Sequence, residues 1–174
     1  TYSISVRCPQ SGIISTPRSS LGGDSTRLEM AKRLGADHVV NIDKTDLVSF
    51  VKEVNGGELA DIFFDCSGNP DAISSSVHVV KKGGTIVTPG LYHGESASID
   101  FDTFVFSELT LKGAHTHNID SVDPAIRIIE SGKYPLDELV THVYPLDQAE
   151  YAVQVAGGEI ENEFPIKVAI DPNL

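Results

Sequence analysis

Tryptophan is absent from the 174-residue chain, methionine occurs once, and cysteine occurs only twice, as Cys8 and Cys66. Two distant cysteines outside any CxxC pair exclude a disulfide framework and a zinc ribbon, and they suit a reducing, cytoplasmic setting. Positive charge is scarce as well: 13 Lys and Arg stand against 25 Asp and Glu, for a net charge of -12 and a pI near 4.7. That balance excludes nucleic acid and anionic membrane as partners, since either surface needs clustered cations to displace counterions. No apolar run approaches the length of a membrane span, and the first residues lack the basic-then-apolar order of a signal peptide. There is no internal repeat, no low-complexity tract and no nucleophile elbow followed by an acid and a histidine, so hydrolase chemistry has no foothold. The length suffices for one domain that buries roughly 70% of its unfolded surface without staples.

What is present is strand and helix in alternation, best seen in residues 61–91, DIFFDCSGNPDAISSSVHVVKKGGTIVTPGL. Ile62, Phe63 and Phe64 form a short apolar run, as a strand covered on both faces requires. Asn69 can cap a following helix and Pro70 suits its first position, where a missing N–H costs nothing. Ala72, Ile73, Ser76, Val77 and Val80 recur at helical spacing. Gly83 is expected to stop that helix in the left-handed conformation before a second strand over residues 85–88. The result is a right-handed βαβ crossover.

The same alternation extends in both directions. Upstream, Asp24 or Ser25 can cap a helix with Leu28, Ala31 and Leu34 on its apolar face, stopped by Gly35. Residues 39–42 are expected to form a strand, and a helix follows from Asp46 with Leu47, Phe50, Val51 and Val54 at i, i+3, i+4 and i+7 before Gly56 and Gly57. Downstream, Phe101, Phe104, Val105 and Phe106 are expected to pack as a short helix under the sheet. Residues 109–112 read as a strand, 123–130 as a helix ended by Gly132, 139–147 as a strand with a proline exit, 148–156 as a helix and 165–171 as a closing strand. This pattern specifies an α/β fold, a Rossmann-type parallel sheet with helices on both faces. Residues 1–23 depart from it. TYSISV and SGIIST can both be strands, but the turn between them is too short for a parallel crossover, so either they form a hairpin or the first strand–helix unit is atypical or missing.

In such sheets ligands bind beyond the carboxyl ends of the strands, where helix N-termini and backbone N–H groups converge. Those ends are Asn41, residues 65–68, residues 89–92 and residues 113–115. Small residues there (Ser67, Gly68, Gly90, Gly113, Ala114) let a flat ligand approach the backbone, although turns need glycine in any case. His115 and His117 face one side of an extended segment, but two imidazoles without a third donor do not make a zinc site. Cys66 lies at a strand end beside a helix N-terminus, which lowers a thiol pKa; with no assignable base, a packing cysteine is the simpler reading.

The motifs RLEMAKRLGADHVVN, DIFFDCSGNPDAI, KKGGTIVTPGL, ELTLKGAHT, LVTHVYPLD and PIKVAID, in this order and spacing, resemble the cofactor-binding half of the medium-chain dehydrogenase/reductase family. They are close to its zinc-dependent alcohol, polyol and threonine dehydrogenases. The resemblance runs from about Gly22 to the end and implies hydride transfer between NAD or NADP and a small alcohol or carbonyl substrate. It implies adenosine-side contacts at Cys66, Ser67 and Gly68, and nicotinamide contacts at Gly90, Leu91, Ala114, His115 and Thr116. Lys167 would reach the pyrophosphate. The acidic residue that holds the ribose hydroxyls falls near Gly22, with Asp24 and Arg27 beside it; Arg27 would tolerate a 2′-phosphate, which leaves NAD and NADP both open. It also implies residues 24–140 as the Rossmann-type domain, 1–23 as an atypical segment, and 141–174 as a segment returning to a catalytic domain. That catalytic domain, with its zinc ligands, is missing from these 174 residues, as is the GxGxxG turn, for which RCPQSG is the nearest stretch. By itself the chain is therefore expected to be inactive. The rival readings are an S-adenosylmethionine-type nucleotide fold using Asp43 or Asp65, and a non-catalytic truncated domain that self-associates through its sheet edge.

Overall fold

The structure, a computed structural model, describes residues 2–7, 14–15, 18–19 and 25–174. Its elements are β1 (Tyr2–Arg7), β2 (Ile14–Ser15), β3 (Arg18–Ser19), α1 (Ser25–Arg33), α2 (Leu47–Val54), β4 (Ala60–Phe64), α3 (Pro70–Val79), β5 (Val80–Thr88), α4 (Phe101–Phe106), β6 (Thr110–Gly113), α5 (Ile119–Glu130), β7 (Val140–Tyr144), α6 (Ala149–Gly157) and β8 (Lys167–Ile170). The chain divides into two compact units, Thr1–Ser121 and Val122–Leu174.

The sheet of the first unit has the order β2-β1-β4-β5-β6, with β3 also paired to β1. β4, β5 and β6 are parallel, as the alternation requires, with Phe63 opposite Ile86 and Ile86 opposite Leu111. β1 runs antiparallel to both β2 and β4, so the sheet is mixed, and the first two strands pair antiparallel, as in the hairpin alternative. The core lies on β4 and β5: Phe63 and Ile86 are fully buried against Val51 of α2, Ala72, Ile73 and Val77 of α3, and Leu109.

Local capping chemistry explains where the helices begin. The Asp46 carboxylate accepts the Ser49 N–H at 2.8 Å and caps α2. Asn69 accepts the Asp71 N–H at 2.8 Å and caps α3, with Pro70 in the first turn. Asp100 caps α4 through the Thr103 N–H and hydroxyl at 3.1 and 2.7 Å. Hydrogen bonds from Ser49 hold the Asp46 carboxyl below its ordinary pKa, and those from Thr103, side chain first, do the same for Asp100.

Four sequence expectations need correction. Residues 39–42 are not a strand: only Asn41 makes an isolated bridge, because a β-branched run extends into a ladder only where a partner strand lies alongside. Gly83 does not stop α3. The helix ends at Val79, the Val80 N–H closes on the Ser76 carbonyl, and Val80 at once pairs with Ala60 in the sheet. Gly83, at φ +76°, instead sits in an irregular stretch of β5, where the register jumps from Ala60 opposite Val80 to Ile62 opposite Thr85 and the Gly83 N–H reaches the Ser107 carbonyl at 2.8 Å. The aromatic cluster forms a helix, but only Phe104 packs on the core; Phe101 is 67% and Phe106 77% exposed. A six-residue helix cannot turn four large side chains toward one sheet. α5 begins a turn before residue 123, because Asn118 and Ser121 cap it reciprocally, with the Ser121 N–H on Asn118 Oδ1 at 3.1 Å and the Asn118 N–H on Ser121 Oγ at 3.2 Å.

In the second unit β7 and β8 form a parallel pair with Tyr144 opposite Ile170, and α6 packs on it through buried Ala152 and Val155. Gly158, at φ +75°, ends α6 in the left-handed conformation, and short 3-10 turns at Leu136–Leu139 and Leu146–Gln148 flank β7. His142 Nε2 pairs with Glu163 at 3.0 Å. Burial first, and then the Glu163 charge, raise the Tyr144 hydroxyl above its ordinary value of 10.0.

Candidate functional site

The carboxyl ends of β4, β5 and β6 lie side by side and continue the sheet's hydrogen bonding one step beyond the strands. The Asp65 N–H donates to the Val87 carbonyl at 2.8 Å, the Gly90 N–H to the Asp65 carbonyl at 3.1 Å, and the Ala114 N–H to the Thr88 carbonyl at 3.2 Å. Three of the loops picked out by sequence, those carrying Cys66, Ser67 and Gly68, then Gly90 and Leu91, then Ala114, are thereby brought together along one edge of the first unit. The first two are in backbone contact. A Cβ on Gly68 would stand 2.1 Å from the Leu91 carbonyl oxygen, and one on Gly90 would stand 2.5 Å from the Gly68 nitrogen. Gly68 also has φ +67°, so glycine is required there both by conformation and by space.

One buried charge holds this corner. Asp65 has no exposed surface. Its Oδ1 accepts the Ser67 N–H at 2.9 Å and the Ser67 hydroxyl at 2.6 Å, and its Oδ2 accepts the Tyr92 hydroxyl. Ser67 Oγ in turn accepts the Asn69 N–H at 3.0 Å, next to the cap of α3. A buried carboxylate is tolerated only when donors replace its lost water, and here both oxygens are supplied. Sequence reasoning placed Asp65 and Tyr92 at neighbouring strand ends, and named Asp65 as the acidic strand-end residue of an S-adenosylmethionine-type fold, but it missed the bond between them. The partners are 27 residues apart, and the one signal available was a tyrosine placed just past the strand that follows an aspartate-ended strand.

The remaining sequence-picked residues stand as follows. Ala114, His115 and Thr116 are exposed in the loop after β6, and Thr116 holds φ +54°, a costly conformation for a β-branched residue. Cys66 is exposed, and Leu91 shows more than half its surface. Arg27 is exposed on α1. Lys167 is exposed at the head of β8, in the second unit. Gly22 and Asp24 lie outside the described residues. Among the described residues no group of three His, Cys, Asp or Glu side chains could hold a metal, and His115 and His117 gain no third donor. The described residues do not fit a zinc ion. No helix among them is long and apolar enough to cross a membrane.

Comparison with known proteins gives this arrangement a context. A family model described as zinc-binding dehydrogenase matches residues 21–131. D-arabitol-phosphate dehydrogenase of Enterococcus avium is 31% identical over 152 residues, covering 86% of this chain and 42% of that protein. The crystal structure of benzyl alcohol dehydrogenase from Acinetobacter calcoaceticus superposes with a TM-score of 0.71 at 25% identity, over 87% of this chain and 41% of that one. A Sinorhizobium meliloti protein solved bound to NADP superposes with a TM-score of 0.73 at 23% identity, over 88% and 44% of the two chains, a likeness of fold. The chain spans about two-fifths of the length of the curated relatives it matches.

Proposed function

The chain belongs to the zinc-binding dehydrogenase family, and from that premise we propose that it forms the NAD(P)-binding part of an oxidoreductase that moves a hydride between a nicotinamide cofactor and a small alcohol or carbonyl substrate. The observation that carries this reading is the row of strand ends at β4, β5 and β6, with small residues at the surface and the capped N-terminus of α3 beside it. In this reading Cys66, Ser67 and Gly68 lie under the adenosine, and the backbone groups of Gly90, Leu91, Ala114, His115 and Thr116 hold the nicotinamide carboxamide. When bound, NAD(P) supplies the ring carbon that accepts or gives the hydride. The strained Thr116 supports the assignment, since backbone strain is retained where a ligand uses it. Arg27 suits a 2′-phosphate on the adenosine ribose, so NADP is included with NAD. Similarity to a D-arabitol-phosphate dehydrogenase and a benzyl alcohol dehydrogenase supports an alcohol with a variable tail as the substrate class. Residues 141–174 are the segment that returns to the substrate-activating part, and a reducing cytoplasm is the proposed setting.

Titration of the purified chain with NADH and NADPH, read by nicotinamide fluorescence, tests the reading. Saturable binding of either supports it, and no binding of either at millimolar concentration overturns it. Self-association through the exposed edge strand β6, whose Leu111 is 43% exposed, belongs to the same proposal. Sedimentation of the chain as a monomer at all concentrations would remove that part alone.

A further inference from the structure

We propose that Asp65 is a positioning residue: its buried carboxylate ties Tyr92 of the loop after β5 to Ser67 of the loop after β4, and so sets the spacing at which one dinucleotide can engage both loops. The inference rests on the reading of these loops as the two ends of a cofactor cradle. β4 and β5 are in register up to Phe64 opposite Val87, and backbone bonds continue through Asp65 to Gly90. Past that point the two segments leave the sheet, and the Tyr92–Asp65 bond is a side-chain link between them. From Ser67 the link passes to Asn69 and the first turn of α3, so one chain of hydrogen bonds runs from the loop after β5 to the helix N-terminus.

A packing role alone would not call for a carboxylate. An apolar side chain could fill a fully buried position at a strand end without the desolvation cost that Asp65 carries. What the carboxylate adds is direction, because three donors from two loops must converge on two oxygens about 2 Å apart. A dinucleotide is a bivalent ligand: each half binds weakly, and the whole binds tightly only if both subsites are correctly spaced. Loosening the tie therefore weakens the dinucleotide while leaving each half-ligand nearly unaffected. A merely structural defect would weaken all of them together.

The test uses Tyr92→Phe, which removes one hydroxyl and leaves the backbone bonds of Asp65 and Gly90 in place, and Asp65→Asn, which keeps shape and loses the charge. Dissociation constants of NADH or NADPH, whichever the unaltered chain prefers, are compared with those of ADP-ribose and nicotinamide mononucleotide. Folding of each variant is checked by circular dichroism. Tyr92→Phe is expected to weaken the dinucleotide about tenfold and ADP-ribose by less than about twofold. In the double variant the loss should be smaller than the sum of the two single losses, because both substitutions act on the Tyr92–Asp65 bond. An equal loss for all three ligands, or no loss for the dinucleotide, overturns the inference while the cradle stands. Failure of the unaltered chain to bind any of the ligands overturns the cradle reading and the inference with it.

Discussion

Replacing Gly68 by alanine measures how closely the two loops approach. At φ +67° an alanine pays about 1–2 kcal/mol for the left-handed conformation. Its Cβ would also stand 2.1 Å from the Leu91 oxygen and 2.8 Å from the Leu91 carbon, both backbone atoms that cannot rotate away. Forced displacement of that kind costs about 1–3 kcal/mol. The stiffer unfolded chain returns about 0.4–1 kcal/mol, which leaves a net loss of about 1–4.6 kcal/mol. Gly94→Ala is the control, because at φ +91° it carries the conformational cost with nothing within 4 Å of the new atom, and should lose no more than about 1.6 kcal/mol. Urea unfolding followed by circular dichroism reads both, with the midpoint shifting and the slope unchanged. If Gly68→Ala costs no more than Gly94→Ala, the loops do not meet as described and the cradle loses its floor.

Other expectations follow from the same structure. Phe63→Ala, at the centre of the core, should lose about 3–5 kcal/mol, whereas Phe106→Ala should stay within about 0.5 kcal/mol; equal losses in urea unfolding would return the aromatic cluster to the core. Thr116→Asn, which tolerates φ +54° better, should raise stability by up to about 1 kcal/mol, and a loss in thermal unfolding would show that the threonine is not strained. Asp46 and Asp100 have lowered native pKa values, so their contribution is complete above the ordinary carboxylate value of 3.8 and is lost as pH falls through the lowered native values. The urea midpoint should therefore fall more steeply below about pH 4 in the unaltered chain than in an Asp46→Asn, Asp100→Asn variant, and parallel curves would refute the caps as its source.

The sequence by itself determined the helices that carry their own punctuation. Asp46 before α2, Asn69 and Pro70 before α3, and the glycines after α1, α2 and α6 act within about four residues of their targets, so no distant partner can overrule them. It determined β4, β5 and β6 and their parallel order for a related reason, since apolar runs separated by helix-length segments have few ways to form a sheet. It determined the family as well, through motifs whose order is specific even where each is loose. Only the tertiary structure decided whether residues 39–42 would find a partner, which of Phe101, Phe104 and Phe106 would meet the core, and whether Gly83 would end a helix or bend a strand. Each of these depends on what lies across a space, and local spacing carries no record of that. The bond from Tyr92 to Asp65 is the sharpest case, because it joins two loops that become neighbours only when β5 returns beside β4.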